Sequence, residues 1–355
     1  MELIPEWAPN IHPMLVHFPI ALLISAVVTN LISFFVPEKW WDETKNSILY
    51  IAGALSAIAV YYSGKAAADS IFLPTEAQGI LSEHADFAFW TIWFFVLYAA
   101  LRIAFHWFKL MDKQSFKIVA FITVLPGLFL LFETAEHGGE MVFGYGAGTG
   151  QLLQQESIEA MSPGELTAPS DFTPKASGGW TWTITNTAVS DLLGNFNWIE
   201  GSVNELNPTV ARNDETSLLK LEAPSESNFF VTNDTFKNVQ IDYYLSLSGF
   251  QGEVMLVHHV QDQKNYDFVS LNSEGEIAQG RMSNGERTIF EEGSFNPDGS
   301  LFIRVVGDGT HFRGYVNKEM VVHGHGDAPD AGAVGIKLDG AGTLFLSKIE
   351  LTNLN

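Results

Sequence analysis

The side chains with the most chemical potential in this sequence are histidines beside long apolar segments. Four of them fall where three predicted helices begin or end: His12, His17, His84 and His137. Two neutral imidazoles on facing helices can hold the iron of a non-covalently bound haem. Imidazoles combined with carboxylates can instead bind a single iron, copper or zinc ion.

Carboxylates accompany these histidines in the sequence. Glu133 and His137 are four residues apart, so a helix places them on one face, where the carboxylate can orient the imidazole. The ligands predicted for haem b are His17, His84 and His137, followed by His12. The ligands predicted for the alternative, a single iron, copper or zinc ion, are His17, His84, His137, Glu133 and Glu136. A third interpretation, histidines that are merely hydrated at helix ends, remains open.

Composition excludes several classes of function. The chain of 355 residues has no cysteine, which excludes disulfides, thiolate metal sites, covalently attached haem and cysteine catalysis. Its formal net charge of −22 argues against a nucleic-acid partner, because phosphate binding requires clustered Lys and Arg.

Four apolar stretches must position the histidines. They cover residues 14–36, 47–64, 85–108 and 118–135, and each is close to the ~20 residues that a helix needs to cross a bilayer. The sequence therefore predicts an all-α four-helix transmembrane domain over residues 1–145, with Arg102, His106 and Trp107 at one membrane interface. Pro19 predicts a kink near the start of the first helix.

Basic residues predict the orientation of the helices. Of the six lysines before residue 146, the loops near residues 37–46 and 109–117 carry five, whereas Lys65 stands alone on the other side. The positive-inside rule then places both termini, and the four histidines, on the outer side of a bacterial inner membrane.

The same segment resembles a known family. The carrying residues are Asn10-Ile-His-Pro-Met-Leu-Val-His-Phe-Pro-Ile-Ala-Leu22, Ser63-Gly64 and Gly138-Gly139-Glu-Met-Val-Phe-Gly144. Over about residues 8–148 the chain is similar to the DUF2231 family of bacterial membrane proteins. The resemblance implies a four-helix bundle, often near or fused to cytochrome modules, for which haem binding is an expectation.

The second half of the chain has a different pattern. Gly, Ser, Pro and Thr accumulate over residues 146–179, which predicts a linker with a short helix near residues 151–160. Short alternating apolar runs with Gly-rich turns then predict an antiparallel β-sandwich over residues 180–355.

This sandwich resembles the concanavalin-like and laminin-G-like jelly rolls, including the branch related to DUF1080 proteins. The carrying residues are Phe236-Lys-Asn-Val-Gln-Ile-Asp242, Asn265-Tyr-Asp-Phe-Val269, Asp298-Gly-Ser-Leu-Phe-Ile-Arg304 and Gly332-Ala-Val-Gly-Ile336. The resemblance implies the fold and a leaning toward binding carbohydrate or protein.

Candidate chemistry in the sandwich is sparse. His258 and His259 are adjacent in a predicted strand, so we expect them to point to opposite faces. His323 and His325 have the spacing of a metal chelate, although a solvated glycine loop is favoured there. Asp308, Asp327 and Asp330 could bind calcium, but no loop motif supports it.

The sequence thus predicts a multidomain membrane protein without a catalytic motif. The leading hypothesis is a membrane-bound haem b protein that moves electrons between a membrane donor and a periplasmic protein or larger complex, with the sandwich as a docking domain. One alternative is a membrane-anchored module for glycan or protein binding with structural histidines. The other is a metal-binding membrane protein. Membrane lipid is a partner in all three, and nucleic acid in none.

Overall fold

The computed structural model describes residues 10–148, 172–176, 178–213 and 216–354. The chain divides into two compact units, residues 1–157 and 158–355. The described part of the first unit is helical, whereas that of the second consists mainly of β-strands.

The first unit contains the four predicted membrane helices. Its elements are α1 (His12–Leu15), α2 (His17–Ser33), α3 (Glu43–Asp69), α4 (Ala77–Trp107), a 3-10 turn (Leu110–Asp112) and α5 (Gln114–Tyr145). Three of the four helices are longer than the apolar stretches that predicted them. Among these three, α5 continues ten residues past the predicted end at residue 135, so that His137 and the following glycines lie inside it.

The surface of this unit is that of a membrane protein. All four helices are long and apolar enough to cross a bilayer. Large apolar side chains remain exposed along them, including Phe18 (59 %), Leu55 (62 %), Leu97 (63 %) and Phe132 (63 %). An apolar surface of this extent requires lipid contact, because water would penalise it.

The interior of the bundle is tightly packed around a few aromatic side chains. Tyr50, Phe95 and Tyr98 are buried, and the rings of Tyr50 and Tyr98 meet edge to face at 4.9 Å. Gly127 on α5 lets a neighbour approach closely, because a β-carbon there would lie 2.2 Å from the Phe94 ring. Small residues at helix contacts are typical of membrane bundles.

The kink predicted from Pro19 has a counterpart in the structure. The first span is interrupted at Val16, where α1 ends and α2 begins. Pro19 has no N–H to donate to the preceding turn, which removes one helical hydrogen bond there. At the other end of the unit, α5 ends at Gly146, which adopts a left-handed conformation with φ of 72°.

The second unit is an antiparallel β-sandwich, which confirms the predicted fold class. Its strands are β1 (Phe172–Pro174), β2 (Gly179–Thr183), β3 (Phe196–Glu200), β4 (Thr209–Asn213), β5 (Thr216–Pro224), β6 (Asn228–Thr232), β7 (Val239–Ser246), β8 (Phe250–Asp262), β9 (Asn265–Asn272), β10 (Glu276–Ser283), β11 (Glu286–Ser294), β12 (Leu301–Asp308), β13 (His311–Val316), β14 (Glu319–His325) and β15 (Ala333–Asn353). Two short helices interrupt them, α6 (Ala188–Asn195) and α7 (Val203–Leu206).

One long strand joins the two sheets. The N-terminal half of β15 pairs with β6 and β8, and its C-terminal half pairs with β2, β5 and β7. In the strand order β11-β10-β9-β8-β15-β7-β12-β13-β14, β15 is therefore the central strand that links the two groups of four. Trp182, Phe230, Tyr243 and Leu256 are among the buried side chains of the core between the sheets.

The boundary of the sandwich lies earlier than the predicted linker suggests. β1 falls within residues 146–179 and pairs with β2 in register from Phe172 to Pro174. The short helix predicted near residues 151–160 lies outside the described residues.

A histidine site in the membrane domain

His12 contacts the C-terminal part of α3. Its Nδ1 lies 3.0 Å from the Ser63 hydroxyl, and that hydroxyl donates its only proton to the carbonyl of Val60 at 2.8 Å. The His12 Nδ1 must therefore be the donor to Ser63. The ring packs beside Gly64, where a β-carbon would lie 2.9 Å from His12 Cε1.

His84 repeats this arrangement against α5. Its Nδ1 donates to the backbone carbonyl of Thr134 at 2.9 Å. The ring packs beside Gly138, where a β-carbon would lie 3.0 Å from His84 Cε1. A glycine on the facing helix thus makes room for each imidazole, and an oxygen of the same helix orients it.

These bonds determine which nitrogen of each ring carries the free lone pair. A neutral imidazole that donates from Nδ1 keeps Nε2 unprotonated. Neither His12 nor His84 has a hydrogen bond at Nε2 to any described residue. Both rings therefore present the electron pair that ligates a metal, with the opposite nitrogen held as in metal-ligating histidines.

His137 is held differently, because both of its nitrogens are engaged. Its Nδ1 lies 2.7 Å from the Glu133 carbonyl, and its Nε2 lies 3.1 Å from Glu83 Oε2. The ring also stacks on Phe87 at 5.1 Å. His12 and His137 both lie near enough to His84 to interact with it electrostatically, so three of the four predicted histidines share one end of the bundle.

The remaining predicted ligands contribute less. His17 and Glu136 are exposed, and neither has a hydrogen bond to the described residues. The helical spacing predicted a contact between the Glu133 carboxylate and His137. In the structure Glu133 contacts His137 through its backbone carbonyl instead. The carboxylate that does reach His137 belongs to Glu83, on another helix. Throughout, "histidine end" denotes His12, Ser63, His84, Thr134 and His137.

The family comparison covers this end of the bundle and the helices that build it. Residues 8–151 match the family described as "Predicted membrane protein (DUF2231)". These residues form a DUF2231 domain. The match confirms the resemblance carried by the His12, Gly64 and Gly138 motifs, each of which lies at the histidine end. None of the curated proteins matches the sequence.

The sandwich that follows the DUF2231 domain in the sequence resembles jelly-roll folds of solved structures. It is similar to a carbohydrate binding module, CBM66 from Bacillus subtilis, with 14% identity over 43% of this chain and 94% of that chain and a TM-score of 0.34. A Bacillus licheniformis beta-glucanase has 12% identity over 50% and 100% with a TM-score of 0.35. A Bacillus subtilis protein of unknown function with a galectin-like fold has 11% identity over 48% and 92% with a TM-score of 0.36. At these values nothing follows about ligands.

The DUF2231 domain also contains a buried charged cluster that the sequence did not reveal. Arg102 is fully buried, and its Nη2 lies 2.6 Å from Glu43 Oε2. Arg102 also donates from Nε to the Ser47 hydroxyl and from Nη1 to Asn30 Oδ1 and the Tyr98 hydroxyl. A second Nη2 bond reaches the Glu43 carbonyl, so every donor direction of the guanidinium is used.

This cluster shows that Arg102 is a buried, paired residue rather than an exposed one at the end of its helix. His106 Nε2 lies 2.8 Å from the Ser47 hydroxyl, so His106 also contacts this cluster. The signal was hidden because Glu43 lies in a predicted loop, 59 residues before Arg102. We call Asn30, Glu43, Ser47, Tyr98 and Arg102 the arginine end.

The adjacent histidines of the sandwich also depart from the prediction. His258 and His259 do not point to opposite faces, because β8 bulges here and His259 has φ of 53°. Their Nδ1 atoms lie 2.7 Å apart, and His259 Nε2 lies 2.8 Å from the Lys237 carbonyl. Asp267 closes the group, with Oδ2 3.4 Å from His259 Nδ1 and two bonds from Arg281.

Burial and pairing set the charges in this group. Burial, together with the neighbouring His259, lowers the pKa of His258 to about 3, so that ring stays neutral. Burial alone would raise the pKa of Asp267, but bonds from His259 and Arg281 outweigh it and lower that pKa to about 2. A carboxylate committed to a guanidinium in this way is a structural partner rather than a metal ligand.

Proposed function

We propose that the DUF2231 domain is a haem b protein whose iron would be held by the Nε2 atoms of His12 and His84. The observation that carries the proposal is the pair of neutral imidazoles on different helices, each with Nδ1 bonded and Nε2 free of the described residues. When bound, haem iron supplies reversible one-electron transfer. His12 and His84 would hold the group, while Ser63 and Thr134 keep their rings oriented.

Ligand number favours haem over a single ion. Protein sites for one transition-metal ion usually need three or four protein ligands. In the described part of the chain, groups of three His, Asp or Glu ligand atoms within 4.8 Å occur only in the sandwich. Haem brings four nitrogens of its own and needs only two axial side chains. Both nitrogens of His137 are engaged, so this residue would hold the Glu83 carboxylate in place rather than bind iron.

The location of the histidine end supports a role in electron transfer across a membrane surface. The lysine-rich loops lie at the other end of the bundle, which favours a histidine end facing the periplasm of a bacterial inner membrane. A redox group there could exchange electrons with a membrane donor such as a quinone and with a periplasmic protein, and the sandwich would dock that protein.

Absorption spectroscopy tests the proposal on the full chain purified in detergent from haem-sufficient cells. We expect a b-type reduced-minus-oxidised spectrum and pyridine haemochrome. His12→Ala and His84→Ala should each abolish it, whereas His17→Ala, which removes an exposed histidine of the same motif, should leave it unchanged. A colourless wild-type protein, or a spectrum that survives both His12→Ala and His84→Ala, would show that the assignment is wrong.

A second candidate function is glycan binding by the sandwich. It is favoured by a depression of about 590 Å³ lined by Arg281, Ser283, Thr288, Phe290, His325, Gly326 and Asp327. Aromatic and charged side chains together are typical of sugar sites, since the ring packs on the sugar face and polar groups bond its hydroxyls. Retention of the full chain on a glycan array, lost in Phe290→Ala, supports this function. Unchanged retention in that variant excludes the depression.

A further inference from the structure

Three histidines converge on one face of the sandwich. His311 lies on β13, and His323 and His325 lie on β14. The ring centroids of His311 and His325 are 5.0 Å apart, and those of His323 and His325 are 4.8 Å apart. One nitrogen from each ring lies within 4.8 Å of the other two.

Strand pairing explains why these rings meet. His311 pairs directly with His325 in the register of β13 and β14, so their side chains share one face. His323 is two residues before His325 on the same strand and therefore points to that face as well. The glycine loop favoured from the sequence is wrong, because residues 319–325 form β14. His311 lies twelve residues before His323, so only the strand register identifies it as a member of this group.

A buried carboxylate lies next to His311 in the strand register. Asp308 on β12 pairs directly with His311, which places it in the same row across the three strands. Asp308 is only 7% exposed, and its Oδ2 has no hydrogen-bond partner among the described residues. A buried carboxylate oxygen without a partner is costly unless a cation or donor reaches it.

We propose that His311, His323, His325 and Asp308 form a second ligand site, for a divalent transition-metal ion of the zinc class. Three imidazoles and one carboxylate are the donors that zinc, copper and nickel prefer, whereas calcium requires oxygen ligands. A tetrahedral zinc site needs ligand nitrogens about 3.4 Å apart, which small rotations of the rings would provide. Asp308 would balance part of the ion's charge beside the buried Arg313, which pairs with His323.

The second histidine group of the sandwich has the same close spacing but a carboxylate that is already paired. His258, His259 and Asp267 are equally close, but Arg281 and the Lys237 carbonyl already occupy the Asp267 carboxylate and His259 Nε2. The proposed zinc site is independent of the haem proposal, since it lies in the other unit and uses none of its residues.

Metal titration of the full chain in detergent, stripped with a chelator, tests the proposal. We expect one Zn²⁺ per chain by calorimetry, and tetrahedral d–d absorption when Co²⁺ replaces it. His325→Ala should weaken binding at least 10-fold, and because His325 is exposed, thermal unfolding of the metal-free protein should not change. Asp308→Asn should weaken binding as well and shift the Co²⁺ bands.

The control is the double variant His12→Ala/His84→Ala, which should bind Zn²⁺ as the wild type does even if its haem spectrum is lost. Equal Zn²⁺ affinity in wild type, His323→Ala and His325→Ala would overturn the proposal. So would Zn²⁺ binding that is absent below millimolar concentrations in the wild-type chain.

Discussion

The DUF2231 domain carries polar side chains at both ends of its bundle, and the two ends use them differently. At the arginine end, Arg102 donates in every direction to Glu43, Ser47, Asn30 and Tyr98, so the group is closed. At the histidine end, His12 and His84 are each fixed through one nitrogen and leave the other unbonded among the described residues. Both ends contain ionisable groups within membrane helices, which are costly there and usually have a purpose.

The two kinds of cluster lead to different expectations for substitution. Removing one member of a closed cluster lowers the stability of the fold, because the remaining partners are left buried and unpaired. An open cluster is oriented but incomplete, which is the condition of a site that binds something. The two carboxylates of the sandwich show a related contrast, because Asp267 is paired with Arg281 whereas Asp308 Oδ2 has no hydrogen-bond partner among the described residues.

The largest expected effect is at the arginine end. Glu43→Ala leaves the Arg102 charge buried without a carboxylate, which should lower the free energy of unfolding by about 3–5 kcal/mol. Unfolding in mixed detergent micelles measures it. Adding Arg102→Met should restore part of the loss, because both charges are then gone. The control is Glu38→Ala, which breaks the pair of Lys117 with the 75% exposed Glu38 and should cost less than about 1 kcal/mol.

Acid should destabilise the group formed by His258, His259 and Asp267 in the sandwich. His258 has a folded pKa of about 3 against 6.5 unfolded, so the unfolded chain binds the extra proton between these values. Stability from this ring is present above pH 6.5 and is lost on acidification, by up to about 1.4 kcal/mol per pH unit. Hydrogen exchange of β8 amides at pH 7.5 and 5.5 measures it. His258→Gln should flatten the slope, and identical slopes would contradict the assignment.

Loss of the Ser63 hydroxyl should weaken the histidine end without removing a ligand. Ser63→Ala frees the His12 ring to rotate and to change tautomer, and groups that orient a ligand in this way typically contribute about 10–100-fold in affinity. Haem titration into the haem-free full chain measures the change. Ser56→Ala is the matched control, because Ser56 bonds only the Gly53 carbonyl on the same helix. Equal affinity in both variants would remove Ser63 from the site.

Neighbouring glycines provide the finest comparison. Gly138→Ala would place a β-carbon 3.0 Å from His84 Cε1, whereas Gly139→Ala meets no atom within 4 Å. Both substitutions raise intrinsic helix propensity, by up to about 1 kcal/mol, but at Gly138 the crowding of the His84 ring opposes this gain. Only Gly138→Ala should lower haem affinity, by about 10-fold, since a ligand ring must hold its position within about 0.5 Å. Haem titration and thermal unfolding of the two variants separate binding from stability.

Sequence reasoning reached the fold further than the sites. Hydropathy predicted four spans because a bilayer imposes one length and one composition on a helix. Alternation predicted the sandwich because one face of each strand is buried. It failed at Arg102, whose partner Glu43 lies outside any apolar stretch, since no local pattern encodes a contact across 59 residues. His12 and His84 were predicted, but their free nitrogens depend on Ser63 and Thr134, which only the packing identifies.

Two failures in the sandwich have a common cause. Strand periodicity assigns faces correctly only while the register is regular, and the bulge in β8 turned His259 toward His258. His311 joined His325 through pairing between strands, which single-strand periodicity does not contain. Bulges and register are therefore the information that the sequence pattern lacked.

The long strand β15 has a consequence for how the sandwich is made in the cell. It pairs with five other strands, β2, β5, β6, β7 and β8, yet it comes after all of them in the chain. While residues 333–353 remain inside the ribosome, the two halves of the sandwich have no strand to join them. Their edges stay open to unwanted pairing for that time, so this domain should depend on holding chaperones more than the helices that precede it.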